Sequence, residues 1–343
     1  MKIVSQEKQF LVEEDRPFDS GHASTLVRLE NGEILCAWFG GSWEKGPDTS
    51  IWMARRSTDG LWQAPYRVAE VRGIAMWNPV LFLRDDGTLL LFYKVGVLIS
   101  EWKTFIKEST DGGLTFSDAR ELVTGDTQGG RGPVKNKPIQ LHDGTLVAPA
   151  SFEGEYWDVF VDISKDGGKT WEMSQMVPIR HVGFNPQIID RPYDPTYCFG
   201  KGAIQPTLWE DADHVLHMLT RTTSSRIFRS DSHDGGRTWN LAYATDLPNN
   251  NSGIDVVKLP NGTLVLAYNP RDNYPNYYKG PRTPLSLSYS KDNGESWQDL
   301  LTLEDGEGAY AYPAIICNGN NELLVTYTWK RERIVFWRIV VAD

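Results

Sequence analysis

One short phrase, an Asp-Gly turn closed by an aromatic residue, returns along this chain at a nearly constant interval. It reads STDGGLTF at Ser109–Phe116, SKDGGKTW at Ser164–Trp171 and SHDGGRTW at Ser232–Trp239. A close variant, SKDNGESW, stands at Ser290–Trp297, and a shortened one, STDGLW, at Ser57–Trp62. The first serines of the five are 52, 55, 68 and 58 residues apart. Glycine after aspartate supplies the positive φ of a tight hairpin, and the carboxylate accepts nearby backbone N–H groups. These aspartates are therefore read as turn-holders rather than as catalysts.

A second phrase interleaves with the first: Asn or Asp, then Gly, then an aliphatic run. It occurs at Asn31–Phe39, Asp86–Tyr93, Asp143–Ala148 and Asn261–Tyr268, with looser copies at Asp213–Leu219 and Asn320–Tyr327. Each copy follows another short apolar strand, so the repeating unit is strand, hairpin, strand, strand, Asp-turn, strand. Six copies of a four-stranded unit predict an all-β fold, a six-bladed β-propeller of antiparallel blades. No stretch of helical periodicity interrupts the series, which excludes a parallel α/β sheet. The last unit ends in the apolar run Ile334–Val341, and Lys2–Val12 has no hairpin partner of its own. That N-terminal strand is expected to complete the last blade and close the ring, so that one domain takes up residues 1–343.

Thirty-five basic against forty-five acidic residues give a net charge of −10. This balance argues against a nucleic-acid backbone or an anionic membrane as the main partner. A small acidic substrate stays open, because a few arginines in one cleft reverse the local potential. Cys36, Cys198 and Cys317 are too few and too far apart for a disulfide framework or a CxxC metal site. His214 and His217 share one strand without a third ligand in view, so neither a metal nor a cofactor is expected. The first ten residues lack the apolar core of a leader peptide. The default setting is cytoplasmic, although a trimmed secreted form reads the same.

In a propeller the first strand of each blade lines the channel, and the residue where it starts lies at the mouth. Aligned on one another, those six places hold His22, Asn78, Lys137, Gln205, the segment Ser252–Asp255 and Tyr312, and four are followed by proline. Proline fixes φ where a strand begins and needs no ladder donor there. Polar and ionisable side chains from all six units therefore converge on one point.

Asp-boxes on six four-stranded blades resemble the sialidase (neuraminidase) superfamily, over almost the whole chain. That resemblance implies three arginines on a substrate carboxylate, a tyrosine nucleophile activated by a glutamate, and an aspartate acid/base on a first-blade loop. Arg221, ending HVLHMLTR, matches the second arginine, and Arg282, opening RTPLSLSYS, matches the third. Tyr312 in AYPAII matches the nucleophile, and Asp48, between AWFGG and IWMARR, matches the acid/base. Two positions depart from the pattern: His22-Ala23-Ser24 replaces the first arginine's phrase, and Gln205 replaces the glutamate. HASTLV, WNPVLF, KNKPI, NSGID and RTPL mark a divergent branch.

The resemblance implies a glycoside hydrolase releasing a terminal acidic sugar from a glycan. Arg221, Arg282, Lys137, Asn78, Gln205 and Asp255 would bind the substrate. Asp48 or Glu44 would be the proton donor, and Tyr312, with Asp255 or His22 as its base, would face the anomeric carbon. A tyrosine suits that place, since a carboxylate nucleophile would repel the substrate's own carboxylate. Two alternatives stay open, a lyase on a uronate-containing glycan with His22 and Tyr312 as base and acid, and a carbohydrate-binding propeller without catalysis. Trp43, Trp77, Trp102 and Trp157 are candidates for stacking on a sugar. The long irregular stretches Arg180–Ala203 and Asn269–Pro281 are expected to form a pocket wall or a homo-oligomer contact.

Overall fold

The structure is a computed structural model that describes residues 1–183, 194–275 and 277–342. Six four-stranded antiparallel sheets form a propeller ring, and among the described residues the only helical turn is the 3-10 segment Ile99–Glu101. No helix among them is long and apolar enough to cross a membrane.

Blade 1 runs Ser20–Arg28, Ile34–Gly41, Ser50–Arg56 and Tyr66–Ala69, and blades 2 to 5 repeat the order along the chain. Blade 6 takes three strands from the C-terminus, Tyr310–Asn318, Glu322–Trp329 and Arg333–Ala342, and its fourth, Lys2–Phe10, from the N-terminus. Lys2 pairs with Ala342 and Phe10 with Val335, as the unpartnered N-terminal run predicts. Two ends of the chain thus hold one sheet, and no open edge remains where the ring closes.

The core is divided by blade. Six apolar clusters occupy the six interfaces between neighbouring blades. Trp77 and Trp102, read above as sugar-stacking candidates, belong to the cluster between blades 1 and 2 and are buried. The apolar residues that surround them explain the difference, for a ring in a packed interface has no face left for a ligand.

Strand direction sorts the loops onto two ends. Every first strand runs from the mouth toward the far end, so the Asn/Asp-Gly hairpins and the Asp-boxes all lie at the far end. There the Asp-box carboxylates are consumed by their own turns. Asp166 accepts from Ser164 Oγ (2.8 Å), Lys169 N (3.0 Å), Thr170 N (2.9 Å) and Thr170 Oγ1 (2.6 Å). Burial alone would raise its pKa, but these donors outweigh it and lower the carboxyl to about 2. The turns joining second to third strands lie at the mouth. They carry Glu44 and Asp48 in blade 1, Arg282 in blade 5 and Arg331 in blade 6.

Candidate active site

Four blades begin with the same irregularity. The register with the second strand shifts between His22 and Thr25, Trp77 and Val80, Ile204 and Thr207, and Ala311 and Ala314. At each shift one residue adopts a left-handed backbone: Ala23 (φ 56°), Asn78 (φ 40°), Gln205 (φ 53°) and Tyr312 (φ 57°). Such a conformation costs a non-glycine residue on the order of 1 kcal/mol, and a bulge of this kind re-aims a side chain. This register corrects the sequence alignment by one residue, since Ala23, and not His22, is equivalent to Asn78, Gln205 and Tyr312. HASTLV carries Ser24 where the other three have proline, which hid the slip. His22 nevertheless reaches the same place, with its ring centroid 4.1 Å from that of Tyr312.

The Tyr312 oxygen accepts two hydrogen bonds, from Arg221 NH1 (2.8 Å) and from Gln205 Nε2 (3.1 Å). The amide orientation is fixed because Gln205 Oε1 accepts from the same Arg221 NH1 (2.9 Å), while Arg221 Nε donates to Asn251 Oδ1 (2.7 Å). The guanidinium carbons of Arg221 and Arg282 lie 5.7 and 5.6 Å from the tyrosine ring centroid. Burial by itself would push the phenol up, but the two guanidinium charges and the Gln205 bond outweigh it and hold the phenol below its usual range. With two donors, two cations and, among the described residues, no acceptor, the oxygen is arranged for a phenolate.

The departures from the sialidase pattern now have a physical reading. A glutamate at position 205 would take the phenol's proton, whereas Gln205 donates to the oxygen. The arginines do the tuning that a base would otherwise do. Arg282 itself is lowered to about 10, chiefly by burial and then by Arg221 and Arg331, against the opposing pull of Tyr312. Its guanidinium makes no side-chain hydrogen bond among the described residues.

Arg331 is the residue that sequence reasoning missed. It sits in the blade 6 turn at φ 64°, next to Lys330 at φ 52°, and its carbonyl accepts from Gly21 N (2.9 Å), tying that turn to blade 1. Its charge acts on both His22 and Arg282, and its NH1 holds Glu44 Oε2 (2.6 Å). A third arginine thus stands at the mouth, contributed by the last blade instead of the first. In sequence, TWKRERI reads as any charged surface hairpin. A tally of charged residues in each blade's mouth-side turn would have singled it out.

His22 is buried, bonded through Nδ1 to Thr328 Oγ1 (2.8 Å), and its Nε2 has no partner among the described residues. Burial first, then Arg331, Arg282, Arg221 and Lys135, lower its pKa well below 6.5 and keep the ring neutral. Glu153, which ends a blade 3 strand, has one buried oxygen without a partner, and its field opposes ionisation of Tyr312. Burial raises its pKa against the pull of Arg221, Lys94 and Lys201.

The remaining candidates lie elsewhere in the mouth. Lys137 and Asp255 are each other's partners, with Nζ 2.9 Å from both carboxylate oxygens and from Val256 O. Asp255 also accepts from Thr207 Oγ1 (2.8 Å) and Ile315 N (2.9 Å), which locks neighbouring blades and leaves no atom for substrate. Both are expected as substrate contacts, and here each is engaged by the other, with Asp255 in this lock and away from the Tyr312 oxygen. Beneath Tyr312, Lys135 donates to Asn136 Oδ1 (2.7 Å), Ile254 O (2.8 Å) and Pro313 O. Asn78 is buried at its bulge. Asp48 Oδ2 accepts from Ser42 Oγ (2.6 Å) and Ser42 N (2.9 Å), and the hydroxyl bond first of all lowers its pKa. As placed, Asp48 caps its own loop in the ionised form. Trp43 is exposed on that loop, and Trp157 lies beside Arg221, 5.8 Å from its guanidinium carbon. Of the long irregular stretches, Asn269–Pro281 brackets the mouth, while much of Arg180–Ala203 lies outside the described residues.

This combination of a six-bladed ring and an arginine-flanked tyrosine defines a sialidase-like BNR-repeat propeller. The profile of the BNR repeat-like domain matches residues 32–325, and the chain belongs to that family. A sialidase of Clostridium perfringens is 28% identical over 163 residues, an alignment that takes in 41% of this chain and 35% of that protein. Among solved structures, a protein of unknown function from Dyadobacter fermentans superposes with a TM-score of 0.75 at 15% identity, covering 99% of each chain. The Hadza microbial sialidase Hz136 superposes with a TM-score of 0.76 at 16% identity, over 97% of this chain and 68% of its own.

Proposed function

We propose that this protein is a glycoside hydrolase that removes a terminal, carboxylate-bearing sugar from a glycan. The observation that carries the proposal is the pair of guanidinium groups, Arg221 and Arg282, on one phenol. Among the described residues Arg282 makes no side-chain hydrogen bond, and Arg331 stands beside it, so a planar carboxylate can be held by paired hydrogen bonds. The Tyr312 oxygen then attacks the anomeric carbon as the glycosidic C–O bond breaks, and the departing oxygen takes a proton. Water afterwards displaces the tyrosine and restores it. Proton donation falls to the Ser42–Asp48 loop, where the substrate carboxylate displaces Glu44 from Arg331 and frees the loop. Asp48, released from Ser42, or Glu44 is then the acid.

A second reading is a lyase on a uronate, favoured by the close contact of neutral His22 with Tyr312. Arginines on the carboxylate acidify the α-proton, and elimination leaves an unsaturated sugar that absorbs in the ultraviolet. Incubation with acidic oligosaccharides separates the two. The hydrolase gives reducing sugar without new absorbance, and Tyr312→Phe lowers its turnover about a thousandfold or more. New absorbance would assign the lyase, and binding without any turnover would assign a carbohydrate-binding propeller.

A further inference from the structure

At the far end of the ring, away from the mouth, the hairpins of blades 3 and 4 meet. His142, in the blade 3 hairpin, places Nδ1 2.6 Å from Glu210 Oε1, and its backbone N–H donates to Glu210 Oε2 (2.9 Å). His214, in the blade 4 hairpin, brings its own Nδ1 to 3.6 Å from the same Oε1. The two imidazoles stack with centroids 3.6 Å apart, and the three donor atoms lie within 4.8 Å of one another.

From this arrangement we infer a divalent transition-metal site, with His142, Glu210 and His214 as ligands and Zn²⁺ as the ion of best fit. Two imidazole nitrogens and a carboxylate form the donor set of a borderline cation, whereas Mg²⁺ and Ca²⁺ prefer all-oxygen shells. The turn is already in place, and a rotation of one ring out of the stack is all that both Nδ1 lone pairs need to meet one ion. Asp211 Oδ1 accepts from Asp213 N and Val215 N (2.9 Å each) and so fixes the turn that holds His214 at φ 61°. Glu210 is largely covered, while the two histidines are about half exposed, which leaves a path for the ion and a coordination position for water. His217, paired with His214 in the sequence reading, belongs to a different network. Its two ring nitrogens bond Asp231 and Asp211. The third ligand was hidden in sequence because His142 comes from the preceding blade, 72 residues before His214.

The bound ion clasps two blades through hairpins that already meet at that carboxylate and at the stacked rings. The site lies at the opposite end from Tyr312, so it serves the ring and not the chemistry at the mouth. The test is a Zn²⁺ titration of chelator-treated protein by competition with a chromophoric chelator, together with melting curves with and without Zn²⁺. One equivalent is expected to bind and to raise the melting temperature, with no response to Mg²⁺. His142→Ala and His214→Asn are each expected to weaken binding at least tenfold and to abolish the thermal shift. Asparagine is chosen for position 214 because it tolerates the left-handed backbone. Failure of the wild type to bind, or binding unchanged in both variants, would overturn the site and mark the cluster as a turn cap only.

Discussion

The two ends of this propeller are built from the same blades and use charge in opposite ways. At the far end, each Asp-box carboxylate meets several donors within its own turn, so local sequence settles the matter. At the mouth, the charged groups come from blades far apart in the chain and leave demands unmet. Among the described residues, Arg282 makes no side-chain hydrogen bond, His22 Nε2 lacks a partner, and the Tyr312 oxygen has donors but no acceptor. The left-handed bulges at Asn78, Gln205 and Tyr312 lie at the mouth, while the left-handed residues His214 and Asn293 of the far end sit in its turns. A satisfied charge stabilises, whereas an unsatisfied one held in place is available to a ligand.

Substitutions that exchange the behaviour of the two ends would break this contrast. Arg282→Ala should raise KM for a carboxylated substrate about 10- to 100-fold, as expected for losing a charge-assisted pair. The same change should move Tyr312 ionisation, read by ultraviolet difference absorbance, to higher pH while leaving the melting temperature nearly unchanged. Asp166→Ala should do the reverse, costing about 1–2 kcal/mol of stability in denaturant melts with turnover unchanged. Loss of turnover in Asp166→Ala at full folding would erase the distinction.

A smaller effect concerns pH. The folded protein holds His22 neutral, with a pKa well below the ordinary 6.5. Its contribution to stability is therefore complete above pH 6.5 and is lost as the pH falls toward the folded-state value. His22→Gln should flatten that part of the stability–pH curve, and an acid limb identical to that of the wild type would place the lost stability elsewhere.

Much of the ring was legible because its determinants are local and repeated. An Asp-box or an Asn-Gly hairpin specifies its turn within eight residues, and the unpaired start of the chain pointed to the shared blade. The mouth was legible where a side chain follows a strand's pattern, as with Arg221, Gln205 and Tyr312. It was not legible where partners come from distant blades. Lys137 and Asp255 look like two polar residues facing a cleft, and only their 2.9 Å contact shows that they satisfy each other. Asp48 matched a motif, but its bond to Ser42 depends on the loop's path. Arg331 lay in a turn with no motif at all.

The most direct measurement is equilibrium binding of a small carboxylated monosaccharide and of its methyl ester, to the wild type and to Arg282→Ala. The account predicts that the wild type binds the acid, that the ester binds at least tenfold more weakly, and that the variant no longer distinguishes the two. Equal affinity for acid and ester in the wild type would show that the guanidinium groups around Tyr312 do not form a carboxylate site.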